Sequence, residues 1–147
     1  MTLLEMLKED LVNAMKAKDK VVLTTLRGVK GAMQMEVINN KKEETDELVL
    51  EVVNKQIKMR LDSITEFKKA NRLDLINSYQ SEIDILQKYM PKQLSIEELN
   101  VIIDEVFDLV KPGSARDLGK VMKEIMPLVK NKCDMTQLNN LIKEKLN

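Results

Sequence analysis

Several residue types are missing or scarce in this 147-residue chain, and each absence excludes a class of function. There is no histidine, which removes the commonest general base and a frequent metal ligand. The single cysteine excludes an internal disulfide and a thiolate zinc cluster. The familiar Gly-rich phosphate loops and the G-x-S-x-G nucleophile motif are also absent. The sequence therefore predicts no catalytic residue, no cofactor and no metal site.

The scarcity of aromatic and chain-breaking residues points to one fold class. Aromatic residues make up 3% of the chain and tryptophan is absent, so the core has to be aliphatic, with ten methionines as gap-fillers. Four glycines and three prolines leave few breaks, which favours long helices. Apolar residues recur at helical spacing along the whole chain, without the alternation typical of strands. We predict an all-α protein.

A helix end and a helix start lie close together after residue 89. Pro91 lacks an N–H and disfavours helical backbone at the residue before it, so a helix is expected to end near Met90. Ser95 and Glu98 form an S-x-x-E capping box that opens the next helix. We predict a four-helix N-terminal domain over residues 1–90, a linker over 91–95 and a small three-helix C-terminal domain over 96–147.

Other local signals mark further helix starts and one anomaly. Gly28 and Gly31 fall inside the predicted second helix, where each costs about 1 kcal/mol relative to alanine. That cost is tolerable if a neighbouring helix packs close to them. The predicted N-terminal caps are the Thr2–Glu5 capping box for the first helix, Asp19 for the second, Thr45 or Asp46 for the third and Asp134 for the last. For the sixth helix we predict a capping pair of Ser114 with the acid Asp117.

Charge is balanced over the chain and uneven within its last third. Lysine plus arginine equals aspartate plus glutamate, 24 against 24, so attraction of a charged partner requires a local asymmetry. Residues 92–110 hold one cation and five acids, whereas residues 111–132 hold six cations and two acids. Arg116, Lys120 and Lys123 are spaced by four and three residues, which places them on one helix face. This cluster either binds phosphates or pairs with the acidic fifth helix.

Short motifs that follow one another along the chain carry a family resemblance. They are Arg72-Leu73-Asp74-Leu75, then Glu82-Ile83-Asp84-Ile85-Leu86, Tyr89-Met90-Pro91-Lys92-Gln93-Leu94-Ser95, Leu118-Gly119-Lys120-Val121-Met122, and Met126-Pro127-Leu128-Val129-Lys130 followed by Asp134. Together they resemble the YqeY family, also called the GatB/YqeY-domain proteins, over essentially the whole chain.

The resemblance implies a helical protein whose C-terminal part is similar to the tail of the B subunit of glutamine-dependent aspartyl/glutamyl-tRNA amidotransferase. In that enzyme the tail contacts the tRNA, while ATP use and transamidation occur on other domains. Asn131 stands where the family commonly has glycine, and asparagine is able to adopt the left-handed conformation. The nucleic-acid-binding candidates are Arg116, Gly119, Lys120, Lys123, Lys130 and Lys132 by position in the family, with Lys111 added from the charge pattern.

Three functions remain open at this point. The first is a non-catalytic tRNA-binding or tRNA-amidotransferase-associated protein, whose partner is tRNA or an amidotransferase subunit. The second is a helical protein–protein interaction module without an RNA partner. The third is a component of a carbon–nitrogen ligase with glutamine as amido-N-donor, a class implied only by the resemblance. We do not expect catalysis by the chain alone.

The N-terminus yields an expectation about location. Its first ten residues contain acids and lack both a basic region and a long apolar core. They resemble neither a secretory signal peptide nor a membrane anchor. We therefore expect a cytoplasmic protein without a membrane partner.

Overall fold

A computed structural model describes residues 1–146, and over that range the chain forms seven α-helices, one short 3-10 helix and no strand. The prediction of an all-α protein is confirmed. The chain folds into two compact units, Met1–Met90 and the residues from Pro91 onward. The helices are α1 (Leu3–Ala17), α2 (Lys20–Asn40), α3 (Asp46–Lys69), α4 (Leu73–Gln87), α5 (Ile96–Val110), α6 (Leu118–Val129) and α7 (Met135–Leu146), with the 3-10 helix (Ala115–Asp117) just before α6.

The first unit packs α1–α4 around an aliphatic core. Burial of each large aliphatic side chain contributes about 1.5–3 kcal/mol. The buried apolar side chains of these helices therefore supply most of the stabilisation of the first unit. Tyr89, just after α4, is the one aromatic residue in this buried cluster. The other members are Leu7, Leu11, Leu26, Val29, Met33, Leu48, Val49, Val52, Val53 and Leu86.

A hydrogen bond between distant residues closes the first unit. Tyr89 is only 2% exposed, and its hydroxyl donates to the carboxylate of Asp10 on α1, 79 residues away in the sequence. Burial and the neighbouring carboxylate raise the pKa of Tyr89, so the phenol stays a neutral donor. This bond fixes the segment after α4 to the first helix.

The capping signals are confirmed at most of the predicted positions. In the two capping boxes, the Glu5 N–H donates to Thr2 Oγ1 and the Glu98 N–H donates to Ser95 Oγ, each at 3.1 Å. Each cap satisfies a backbone donor that the first turn leaves without a helical partner. Side-chain caps are also present at Asp19, Thr45 and Asp134.

No neighbouring helix within residues 1–146 packs against Gly28 or Gly31. Both glycines are exposed on α2, and a Cβ built on either would meet no atom within 4 Å. The reason is that the buried side of α2 is the side that carries Leu26, Val29 and Met33. Their cost to helix stability is therefore not offset by close packing inside this part of the chain.

Left-handed backbone ends several helices without the help of glycine. Positive φ angles between 52° and 63° occur only at lysine and asparagine residues among residues 1–146. Asn131 has a φ of 63°, so the prediction that asparagine takes this conformation there is confirmed. The five residues are Lys18, Lys41, Asn71, Lys111 and Asn131.

The second unit packs α5–α7 around its own core. The Leu94 N–H donates to the Lys132 carbonyl oxygen (2.8 Å), which ties the start of the unit to the turn after α6. The Gln93 side-chain amide donates to the Asn131 carbonyl oxygen (3.0 Å) in the same place. The buried cluster consists of Leu99, Ile103, Val106, Val121, Ile125, Val129, Cys133, Leu138 and Ile142.

Replacing Tyr89 by phenylalanine tests the bond that closes the first unit. The ring would stay buried while the hydroxyl donor to Asp10 is lost, so we expect Tyr89→Phe to lower the free energy of unfolding by about 1–2 kcal/mol. Urea denaturation followed by circular dichroism measures this change. Tyr79→Phe is the matched control, because Tyr79 contacts Phe67 through its ring. Equal stability of the two variants would contradict the role assigned to the Tyr89–Asp10 bond.

Candidate nucleic-acid interface

Helix α6 has one buried face and one exposed face. Val121, Ile125 and Val129 recur every four residues and are completely buried, which fixes the helix against the core of the second unit. Helical geometry then turns Lys120 and Lys123 to the opposite side, and both are exposed. Pro127 lies inside the helix, which continues to Val129. The predicted amphipathic arrangement of the sixth helix is therefore present.

The segment before α6 differs from the prediction. Ser114 Oγ accepts the N–H of Arg116 (3.3 Å), so Ser114 caps the 3-10 helix and not α6. Asp117 makes no side-chain cap on α6 and instead accepts the Gly113 N–H through Oδ2 (2.7 Å). The predicted Ser114–Asp117 capping pair is wrong, because the extra 3-10 turn moves the start of α6 to Leu118.

The hydrogen bond to Asp117 has an electrostatic consequence. The Gly113 N–H stabilises the charged carboxylate, and this bond, aided by nearby Lys120, holds the pKa of Asp117 below its usual value of 3.8. Asp117 therefore remains negative and anchors the loop between α5 and the 3-10 helix.

All the candidate residues lie at the surface of the second unit, and we refer to them as the basic surface. Lys120 and Lys123 share the exposed face of α6, whereas Lys130 and Lys132 follow its C-terminal end. A 12-residue helix spans about 18 Å, so the cations form an extended row and not one compact patch. The exposed members are Lys111, Arg116, Gly119, Lys120, Lys123, Lys130 and Lys132.

Among residues 1–146, Lys120 and Lys123 form no ion pair with the acids of the fifth helix. The α5 carboxylate of Asp104 contacts Lys145 of α7, whose ammonium also lies 5.3 Å from the centre of the Phe107 ring. Lys120 pairs with Asp117 at 3.7 Å, but its side chain is 76% exposed, so water screens this contact.

Sequence reasoning missed two residues that shape this surface. The role of Asp117 as an acceptor for Gly113 depends on the 3-10 turn, which the capping pattern alone does not reveal. Lys145 had no local signal at all, because its contact with Asp104 joins α7 to α5 across the packed unit. Without Lys145, the acids of α5 looked like natural partners for the cations of α6.

Reactive thiol and metal chemistry find no support in the described residues. Cys133 is buried, its Sγ lies 3.9 Å from the Val129 carbonyl oxygen, and burial raises the pKa of the thiol. Within residues 1–146, no group of three or more carboxylate or cysteine side chains is placed to hold a metal ion.

Comparison with known proteins identifies the family. The profile of the family described as Yqey-like protein matches residues 4–146, nearly the whole chain. The chain belongs to the YqeY-like family. The predicted resemblance is therefore confirmed.

Curated relatives in fungi share this YqeY-like sequence and carry the name altered inheritance of mitochondria protein 41, mitochondrial. The protein from Pyrenophora tritici-repentis is 33% identical over 132 residues, which cover 86% of this chain and 70% of the relative. The Saccharomyces cerevisiae protein is 35% identical over 124 residues, covering 82% and 66% respectively. The Kluyveromyces lactis protein is 45% identical over 84 residues, covering 56% of this chain and 45% of the relative.

The names of these YqeY-like relatives overturn the expectation of a cytoplasmic protein, because they assign the relatives to mitochondria. The expectation rested on an N-terminus that resembles neither a secretory signal peptide nor a membrane anchor. Those criteria recognise secreted and membrane-anchored proteins, and neither separates cytoplasm from mitochondria. Separately, no helix within residues 1–146 is both long enough and apolar enough to cross a membrane.

The depressed pKa of Asp117 predicts how one variant responds to acid. A folded-state pKa below the unfolded value gives stability that is present above the unfolded pKa and is lost as the pH falls through the folded pKa. We expect Asp117→Asn to lower the melting temperature at pH 7, and the difference from the native chain to shrink as the pH falls below 3.8, the usual pKa of this carboxyl. Asp108→Asn removes the same charge from the exposed side of α5 and should leave the melting temperature nearly unchanged. A constant deficit of Asp117→Asn across this pH range would refute the electrostatic explanation.

Proposed function

We propose that this YqeY-like protein binds tRNA through the basic surface of its second unit, as a non-catalytic accessory of tRNA amidation. One observation carries the proposal: Lys120 and Lys123 are exposed, and neither pairs with an acid of α5. Cations that stay exposed retain the capacity to displace counterions from phosphates. The similarity of the C-terminal part to the amidotransferase tail supports tRNA as the nucleic acid.

The basic surface suits phosphate and shape recognition. RNA helices are recognised mostly through backbone contacts and overall shape, and an extended row of lysines matches that mode. Stacking on single-stranded bases requires aromatic side chains, and Phe107 is the one aromatic residue in the second unit. Gly119 adds a place for close approach, because a Cβ built there would meet no atom within 4 Å.

We also infer that residues 1–90 and 96–147 are separate domains joined by the linker 91–95. The two compact units and their separate buried clusters support this division. The proposed tRNA contacts would then belong to the smaller domain. Limited proteolysis of the full chain that first cuts outside residues 88–95 would count against the division.

A pair of lysine substitutions tests the proposed RNA contact. Each phosphate contact contributes about one unit to the slope of log affinity against log salt, so we expect Lys120→Ala with Lys123→Ala to reduce that slope by about two. Titration of tRNA at several salt concentrations measures the slope.

The matched control for this pair is Lys55→Ala with Lys58→Ala. Those two lysines are also exposed and three residues apart, but they lie on α3 in the first unit. The control variant should bind tRNA like the native chain. If both variants bind alike, or if neither they nor the native chain bind tRNA, the interaction-module alternative gains support.

Gly119 offers a test in which stability and binding move in opposite directions. Alanine at this open helical position should raise the free energy of unfolding by up to about 1 kcal/mol. If the RNA backbone approaches Gly119 closely, Gly119→Ala weakens tRNA binding even though the protein becomes more stable. Gly28→Ala on α2 should give the same stabilisation with unchanged tRNA affinity. Unchanged tRNA affinity in Gly119→Ala would remove this residue from the proposed contact.

A further inference from the structure

Helix α2 carries an apolar and small-residue stripe that no other described part of the chain covers. Its members are separated alternately by three and four residues, which is the a/d spacing of a helix seam that packs against another helix. Three of its large side chains, Val21, Met35 and Ile38, are 51%, 56% and 72% exposed. We call this set the α2 stripe: Val21, Thr24, Gly28, Gly31, Met35 and Ile38.

The glycines at the centre of the α2 stripe have no explanation within the described chain. Glycine lowers the stability of a helix relative to alanine, and the space beside Gly28 and Gly31 is open to at least 4 Å. Glycine permits the closest approach of a second backbone. A helix lying across α2 at this point would use that space, with the large side chains at both ends of the stripe packing around it.

The charged side chains along one flank of the α2 stripe are basic. Lys20 and Arg27 lie along one flank and Lys41 caps the end of the helix, and all three are exposed. None of the ion pairs within residues 1–146 involves these three side chains. The carboxylate of Glu36 is engaged by Lys42 at 3.6 Å. An antiparallel pair of α2 helices from two copies would place the basic flanks together, which disfavours a second copy as occupant.

We propose that the α2 stripe is the docking site for an acidic amphipathic helix of a partner protein. The apolar side of that helix packs on the stripe over the two glycines, and its acidic flanking residues face Lys20 and Arg27. The stretch from Val21 to Ile38 is about 27 Å long, and we expect a single helix packed along it to bury less area than a standard protein–protein interface. The association is therefore transient, with a dissociation constant in the micromolar range. This proposal does not depend on tRNA binding, which concerns the second unit.

A designed peptide supplies a defined probe for this site. The probe is a helix of about four heptads with leucine at positions a and d and glutamate at e and g, which also discourages the peptide from pairing with itself. Calorimetric titration into the full chain should show micromolar binding. The same peptide with lysine in place of glutamate should bind at least tenfold more weakly.

Substitutions in the full chain locate the binding. Gly28→Leu with Gly31→Leu fills the open space, so we expect at least a tenfold loss of affinity with no fall in melting temperature, since leucine favours helix more than glycine does. Met35→Glu with Ile38→Glu should have a comparable effect through lost apolar contact and added repulsion. The controls are Met59→Glu, an exposed methionine on α3 (55%), and Lys120→Ala with Lys123→Ala, which should both bind the acidic peptide like the native chain.

Several results would overturn the proposal. Equal affinity for the acidic and basic peptides would remove the electrostatic argument. Undiminished binding by Gly28→Leu with Gly31→Leu, or no binding of the acidic peptide at about 0.5 mM, would remove the site itself. If sedimentation shows a dimer that this glycine variant dissociates, the occupant is a second copy of the chain and the partner proposed here is wrong.

Discussion

The backbone hydrogen bond from the Leu94 N–H to the Lys132 carbonyl oxygen, 2.8 Å long, sets the geometry of the second unit. It joins the residue before the Ser95 cap to the turn after α6, so the start of α5 and the end of α6 are fixed against each other. The Gln93 amide strengthens the junction through its bond to Asn131. Because Lys132 lies in that turn, the contact that begins this unit also positions one end of the basic surface.

Local chemistry made most of the secondary structure predictable. A capping box such as that of Thr2 or Ser95 is complete within four residues, so the sequence alone contains all its parts. The left-handed conformation of Asn131 was suggested instead by the glycine that the family commonly has at this position. In contrast, the Tyr89–Asp10 bond spans 79 residues, and no local pattern connects its two ends. Contacts of that kind depend on tertiary packing and could be found only in the folded structure.

The candidate interface also combines features that local sequence predicts with contacts that depend on tertiary packing. Helical periodicity was enough to place Lys120 and Lys123 on one exposed face, because the buried face opposite them is defined by their neighbours in sequence. Whether the acids of α5 neutralise that face was a question of packing. Among residues 1–146, Asp104 contacts Lys145 of the last helix, and no acid of α5 pairs with Lys120 or Lys123. The glycines of α2 are a related case: the sequence marked them as unusual, and the fold showed that no described part of the chain packs against them.

The left-handed lysines carry an evolutionary implication. Glycine adopts this conformation without steric cost, whereas a side chain there costs about 1–2 kcal/mol. Lys18, Lys41 and Lys111 all hold it, and Lys111 is also part of the basic surface. At Lys111 a mutation to glycine would relieve backbone strain and at the same time delete a charge. Stability would favour glycine at this position, whereas the proposed nucleic-acid contact would favour lysine, a local form of the stability–activity trade-off.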